Sequence, residues 1–266
     1  MKTRLVSAII MALIFIPVLI VGKFPFHVFV LLLAILAQRE LLKARRTKKE
    51  FPIAMELASY LLLGAITLNN VASLSLELEL PYYLLSAIFL VLLLPTVFYN
   101  NSKLYNLNDA FFLISSVLFI GISTNAMILL RNFSLLYVVY LLIITTVTDS
   151  FAYITGKFIG LNKLAPKISP NKTIEGLVGG TIWGSLAGAV FYNTVIDPNV
   201  NFAIILFLTT VLSIVAQIGD LMFSAIKRYY DRKDFSNLIP GHGGILDRID
   251  SFIFIVLTFV LFLVLL

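Results

Sequence analysis

Nine apolar stretches, each close to the length that crosses a bilayer, take up most of this chain: about 5–22, 26–42, 52–69, 82–99, 109–130, 135–154, 175–195, 202–225 and 250–266. A helix rises about 1.5 Å per residue, so about 20 apolar residues traverse a hydrocarbon core of about 30 Å. Inside lipid every backbone N–H and C=O must find a partner within the protein, which leaves helices or closed barrels. Long uninterrupted apolar runs exclude the barrel. The expected fold is therefore all-α, a polytopic integral membrane protein of about nine transmembrane helices. Of the 266 residues, 60% are hydrophobic and 13% charged, against about 45–50% and about 25% in soluble domains. So little polar sequence leaves no room for a second, soluble domain, and 1–266 reads as one membrane-embedded domain. Within it, 1–130 supplies N-terminal helices, while 135–266 carries two long connections, 155–174 and 226–249. MKTR followed by an apolar run resembles a secretory signal but is not followed by a small-x-small cleavage site, so it reads as a retained first helix.

Basic residues set the orientation. With the N-terminus in the cytoplasm, eighteen of the 20 lysines and arginines fall inside, and only Lys23 and Arg131 fall outside. A net charge of +6 is then explained by cytoplasmic loops and anionic headgroups, and nucleic acid is not an expected partner. The expected location is the cell (inner) membrane, with both long connections on the cytoplasmic side. The outer connections, such as NNVASLSLELEL at 69–80, hold no evident chemistry. The chain has no cysteine, which removes disulfides, thiolate metal sites and thiol nucleophiles.

Acidic residues beside lipid are the first chemical signal. Asp149 and Asp220 lie toward the inner ends of the sixth and eighth stretches, and Asp247 and Asp250 flank the start of the ninth. An unpaired carboxylate in mid-membrane costs about 2.5–3.5 kcal/mol on insertion scales, so such residues face a polar interior. Asp247 and Asp250, three apart, share a helix face if the helix starts by Leu246. A first-turn acid completing the helix dipole is the plain alternative for Asp250. Oxygen donors without sulfur or a histidine cluster suit Mg²⁺ or another hard cation. The second signal is basic and glycine-rich. KISPNKTIEGLVGG offers Lys167, Ser169, Asn171, Lys172 and Thr173, and a helix starting near Thr173 would aim free N–H groups at an anion. Lys227 and Arg228 follow the eighth stretch, and His242, Gly243, Gly244 and Arg248 lie in the loop before the ninth. Neither a P-loop nor a dinucleotide-binding glycine pattern is present. Carboxylates for a hard cation, cations for polyphosphate, and adjacent lipid point to phosphoryl-transfer chemistry on a lipid.

The stretch SAIKRYYDRKDFSNLIPGHGGILDRID resembles the signature of the phosphatidate cytidylyltransferases, also called CDP-diacylglycerol synthases. Ser224, Lys227, Arg228, Lys233, Asp234, Pro240, Gly241, His242, Gly243, Gly244, Asp247, Arg248 and Asp250 match it without a gap. DSFAYITGKFIG and ISPNKTIEGLVGG resemble family blocks as well, so 145–255 is well covered, whereas the first 130 residues are alike only in being hydrophobic. The resemblance implies that CTP and phosphatidate give CDP-diacylglycerol and diphosphate, with Mg²⁺, in a dimeric membrane enzyme whose partners are CTP, phosphatidate and the surrounding lipids. By matching position it makes Asp220 and Asp247 the principal metal ligands, at a site that admits a second cation. Catalytic roles for Asp149, Asp250, Lys227 and Arg228, and substrate binding by Lys167, Ser169, Asn171, Lys172, His242, Gly243, Gly244 and Arg248, follow from chemistry instead. A CTP-dependent lipid-alcohol kinase is the nearer rival. A cation-coupled transporter is the farther one, and carboxylates gathered in the second half of the chain count against it.

Overall fold

A computed structural model of the chain describes residues 2–46, 49–69, 81–99 and 104–265. Each apolar stretch carries a helix: α1 (Lys2–Val21), α2 (Lys23–Arg46), α3 (Ile53–Thr67), α4 (Tyr82–Leu93) with the short α5 (Pro95–Phe98), α6 (Leu107–Phe133), α7 (Leu135–Ile159), α8 (Ile174–Phe191), α9 (Phe202–Tyr229) and α10 (Leu246–Leu265). Five segments, Lys23–Arg46, Leu107–Phe133, Leu135–Ile159, Ile174–Ile196 (α8 continued by a π-helical turn over Tyr192–Ile196) and Phe202–Tyr229, are long and apolar enough to cross a bilayer. Leu5–Val21, Ile53–Thr67 and Tyr82–Phe98 are shorter apolar helices. The chain is a helical, polytopic membrane protein. Lys48, Lys103 and residues 70–80 of the outer connection lie outside the described residues.

The departures from the expected segments have local causes. Pro95 interrupts the 82–99 stretch, because a proline lacks the N–H that would bond one turn back and crowds the preceding carbonyls. Helices α2, α7 and α9 each run four or five residues past the expected end, through Arg46, Ile159 and Tyr229. Hydropathy follows the solvent around a helix, not the helix, and each of these last turns carries lysine or arginine. The 155–174 connection is not wholly irregular: β1 (Lys163–Ala165) and β2 (Ser169–Thr173) pair as an antiparallel hairpin. Its turn is closed by the Ile168 amide donating to the Ala165 carbonyl at 3.1 Å, which puts Pro166 at the second turn position, where its fixed φ fits.

Two compact units divide the chain. The first comprises Met1–Phe133 with Asp234–Asp247, and the second Ser134–Lys233 with Arg248–Leu266. In the first, α2, α3 and α6 pack around Ala34, Ala37, Leu63, Ile66, Leu113, Val117 and Ile120, all fully buried. Polar bonds between helices supplement that packing: Gln38 Nε2 to Ser116 Oγ at 3.0 Å, Asn125 Nδ2 to the Ile66 carbonyl at 3.0 Å, and Thr67 to Thr124 at 2.9 Å. Arg45 and Lys49 both pair with Asp109, whose side chain is wholly buried.

In the second unit α8 lies against α7 along Gly176, Gly180, Gly184 and Gly188, one every fourth residue. A Cβ at Gly176 would sit 2.7 Å from the Ala152 carbonyl oxygen, and one at Gly180 would sit 2.7 Å from that of Thr148. Backbones approach this closely only where side chains are absent, as in small-residue packing of membrane helices. Helix α9 joins through Thr148–Ser213 and Tyr140–Thr209 hydroxyl bonds, each 2.7 Å.

Candidate active site

The close approach of α7 and α8 places Asp149, Ala152, Tyr153, Gly156 and Lys157 opposite Thr173, Gly176 and Leu177. The hairpin adds Leu164, Asn171 and Lys172, and α9 adds Gln217 and Asp220, around a cavity of about 390 Å³ within the second unit. That volume lies in the range of about 300–1,000 Å³ usual for ligand sites. Helix α8 starts at Ile174, with the Thr173 hydroxyl accepting the Gly176 amide at 3.1 Å. The Ile174 amide donates to the Asn162 carbonyl at 2.9 Å. First-turn N–H groups expected to face an anion are thus engaged inside the chain, and the anion-binding capacity here rests on side chains.

The main electrostatic feature of the cavity is an ion pair. Lys172 Nζ lies 2.6 Å from Asp220 Oδ2, with the two side chains 27% and 32% exposed. The same ammonium reaches the Gln217 carbonyl at 3.4 Å, and Gln217 is held by Thr181 Oγ1 at 3.0 Å. Ser224 donates to the other Asp220 oxygen at 3.5 Å. Asp149, Asp220 and Asp250 lie within electrostatic reach of one another, together with Lys172, Lys227 and Arg248. Asp250 is buried and accepts the Ser251 amide at 2.8 Å. Lys227 is buried, while Arg228 is exposed and donates from Nε to the Ile168 carbonyl at 3.2 Å. Lys167 stands exposed at the hairpin turn and Ser169 opens β2; neither belongs to the cavity wall.

The remaining candidates belong to the first unit. Asp247, in the first turn of α10, is buried and accepts two backbone amides on Oδ2, from Gly244 at 2.9 Å and Phe235 at 3.0 Å. His242 and Gly243 sit in a turn closed by amides donating to the Ile239 carbonyl, with Gly243 at a φ of +84° that side chains rarely adopt. Among the described residues, none is hydrogen-bonded to the buried His242 Nδ1.

Sequence reasoning missed Glu40, a buried carboxylate on α2 that binds this loop. It also missed Tyr153 and Gln217 on the cavity wall. The signal for Glu40 was weak: a charged pair, Arg39 and Glu40, at the polar end of an apolar stretch.

As to Mg²⁺, no group of three or more histidines and acids close enough to hold a metal occurs among the described residues. Magnesium does not need one, since it is held through one or two carboxylates, its own waters and substrate phosphates. The oxygen donors that Asp149, Asn171, Gln217 and Asp220 bring to the cavity wall fit that habit.

Comparison with known sequences covers the same ground from outside. The model of the "Cytidylyltransferase family" matches residues 2–266. A phosphatidate cytidylyltransferase of Bacillus subtilis (strain 168) is 36% identical over 266 residues, covering 99% of this chain and 97% of its own length. Proteins of that name from Staphylococcus haemolyticus and Staphylococcus aureus (strain COL) are 38% and 37% identical, each over 96% of both chains. The similarity therefore includes the first 130 residues, where no motif was visible.

Proposed function

Because this chain belongs to the cytidylyltransferase family, we infer that it joins CTP to phosphatidate, giving CDP-diacylglycerol and diphosphate at a membrane surface. The observation that carries the reading is the second-unit cavity, where Asp149, Asp220 and the Lys172 ammonium share one wall. A phosphate monoester has its second pKa near 6, so phosphatidate is largely dianionic at neutral pH and already nucleophilic. One of its oxygens attacks the α-phosphorus of CTP, the bond to the β-phosphate oxygen breaks, and diphosphate leaves with the electron pair. No side chain need remove a proton. What the protein must do is hold two polyanions together, and Lys172, Lys227, Arg228 and Arg248 supply positive charge for that.

By the family resemblance Asp220 and Asp247 would hold Mg²⁺, and the ion would supply charge neutralisation on the phosphates. Lys172, paired with Asp220, sets an ammonium beside that carboxylate, where it would meet a phosphate held there. Activity as a homodimer, with the site on the cytoplasmic side of the cell membrane, belongs to this proposal.

Purified protein given CTP labelled at the α-phosphate and phosphatidate is expected to release labelled CDP-diacylglycerol. Transfer of γ-label to a lipid alcohol would instead select the kinase reading. The orientation has its own test, clean because no native cysteine interferes. Ser73→Cys is expected to react with an impermeant thiol reagent in intact cells, and Lys163→Cys, on the exposed hairpin, only after lysis. The reverse pattern would turn the protein over and place the cavity on the wrong side for cytoplasmic CTP.

A further inference from the structure

Glu40 lies 206 residues before the first turn of α10, yet its carboxylate occupies the place of an N-terminal cap for that helix. Oε1 accepts the Ser236 hydroxyl at 2.6 Å and the Ile245 amide at 2.9 Å, and Oε2 accepts the Leu246 amide at 2.8 Å. Glu40 is 3% exposed, and among the described residues no lysine or arginine pairs with it. A buried carboxylate is tolerated only when its lone pairs are satisfied, and here amide dipoles and the positive end of α10 do that.

The next amide in the series is also engaged. The Gly244 amide donates to Asp247 Oδ2, so Gly244, Ile245 and Leu246, consecutive in the chain, are each fixed by one of two carboxylates. Gly244 answers to the same contact: a Cβ there would fall 2.5 Å from Glu40 Oε1. A second tie comes from α1, where the Ser7 hydroxyl donates to the Pro240 carbonyl at 2.8 Å.

We propose that Glu40 is a positioning residue for the reaction: its carboxylate fixes the backbone that precedes Asp247 and so sets where the Asp247 carboxylate stands. The proposal rests on the reading of Asp247 as a metal-binding residue. It gives the motif-free N-terminal helices a part in the chemistry, as the frame of the glycine-rich loop.

The test is Glu40→Gln, which keeps the shape but turns an acceptor for the Leu246 amide or the Ile245 amide into a donor. Amide exchange followed by mass spectrometry on the purified full-length protein is expected to accelerate in the segment 236–247 and not elsewhere. With that change kcat is expected to fall by about 10–100-fold, the usual effect of losing a group that orients a metal ligand, and the Mg²⁺ concentration for half-maximal rate to rise in parallel. Ser236→Ala removes one donor only and is expected to move both readouts the same way by less; it carries the test if the glutamine variant does not fold. Faster exchange with an unchanged kcat and Mg²⁺ requirement would overturn the proposal, leaving Glu40 as a structural clamp. Unchanged exchange would overturn it from the other side. If the wild-type protein transfers no cytidylyl group, the functional reading fails first. The positioning role then falls with it, and the exchange result records the clamp alone.

Discussion

Asp220→Asn is expected to remove nearly all turnover while leaving a folded, membrane-inserted protein. The structure makes the second half of that statement as definite as the first. Asp220 has a third of its side chain exposed, and its partner Lys172 is exposed to a similar degree. Ion pairs open to solvent contribute about 0–1 kcal/mol, so losing this one does not threaten the fold. Asparagine preserves shape and removes charge, so whatever fails is electrostatic. A loss of at least about 10²–10³ in kcat is the scale for removing one charge-stabilising group from a polar reaction. The measurement is kcat at saturating CTP across a Mg²⁺ series, with melting temperature in detergent as control. Near-normal turnover at low Mg²⁺ would reduce Asp220 to a counter-ion for Lys172. Asp247→Asn is expected to be as damaging but is the less clean experiment. Its carboxylate also holds the Phe235 and Gly244 amides, so a loss mixes chemistry with displacement of the loop.

What the sequence could and could not disclose follows from the range of the forces involved. Helices were legible because lipid leaves an apolar segment no other way to satisfy its backbone. The acids of α7, α9 and α10 were legible because a carboxylate is costly in such surroundings and stands out against them. The hairpin at 163–173 escaped, since five or fewer residues per strand in a polar loop leave no alternation to read, and Pro166 and Pro170 look like loop punctuation. The glycines of α8 did have a period of four, but a glycine-containing helix reads as weak until the partner backbone that needs the space is known. Glu40 was the hardest case. Its meaning lies in donors on Ser236, Ile245 and Leu246, some 200 residues away, and no local pattern encodes a contact at that separation.

Arg228→Ala is the other large effect expected, and α9 supplies the reason. The helix is continuous through Tyr229, so Asp220 and Lys227 stand two turns apart on one face, about 10 Å along the axis. Lys227 is buried on that face; Arg228 is turned outward, with Nε bonded to the Ile168 carbonyl and Nη1 to that of Arg232 at 2.8 Å. A triphosphate held near Asp220 would extend toward these cations, and charge grows on its distal end as diphosphate departs. Their attraction is therefore stronger in the transition state than in the ground state, which is the condition for acting on kcat and not only on KM. Arg228→Ala is expected to lower kcat by about 10²-fold, and to raise KM for CTP by less. The rival account is structural: the bond to the Ile168 carbonyl makes the guanidinium a tie between α9 and the hairpin that carries Lys172. Arg228→Lys separates the two, because lysine restores the charge but not the planar, forked donor geometry. Recovery of most of kcat with lysine supports charge stabilisation of the leaving group. Alanine and lysine variants equally impaired, or a loss confined to KM in both, would make Arg228 a brace for the hairpin.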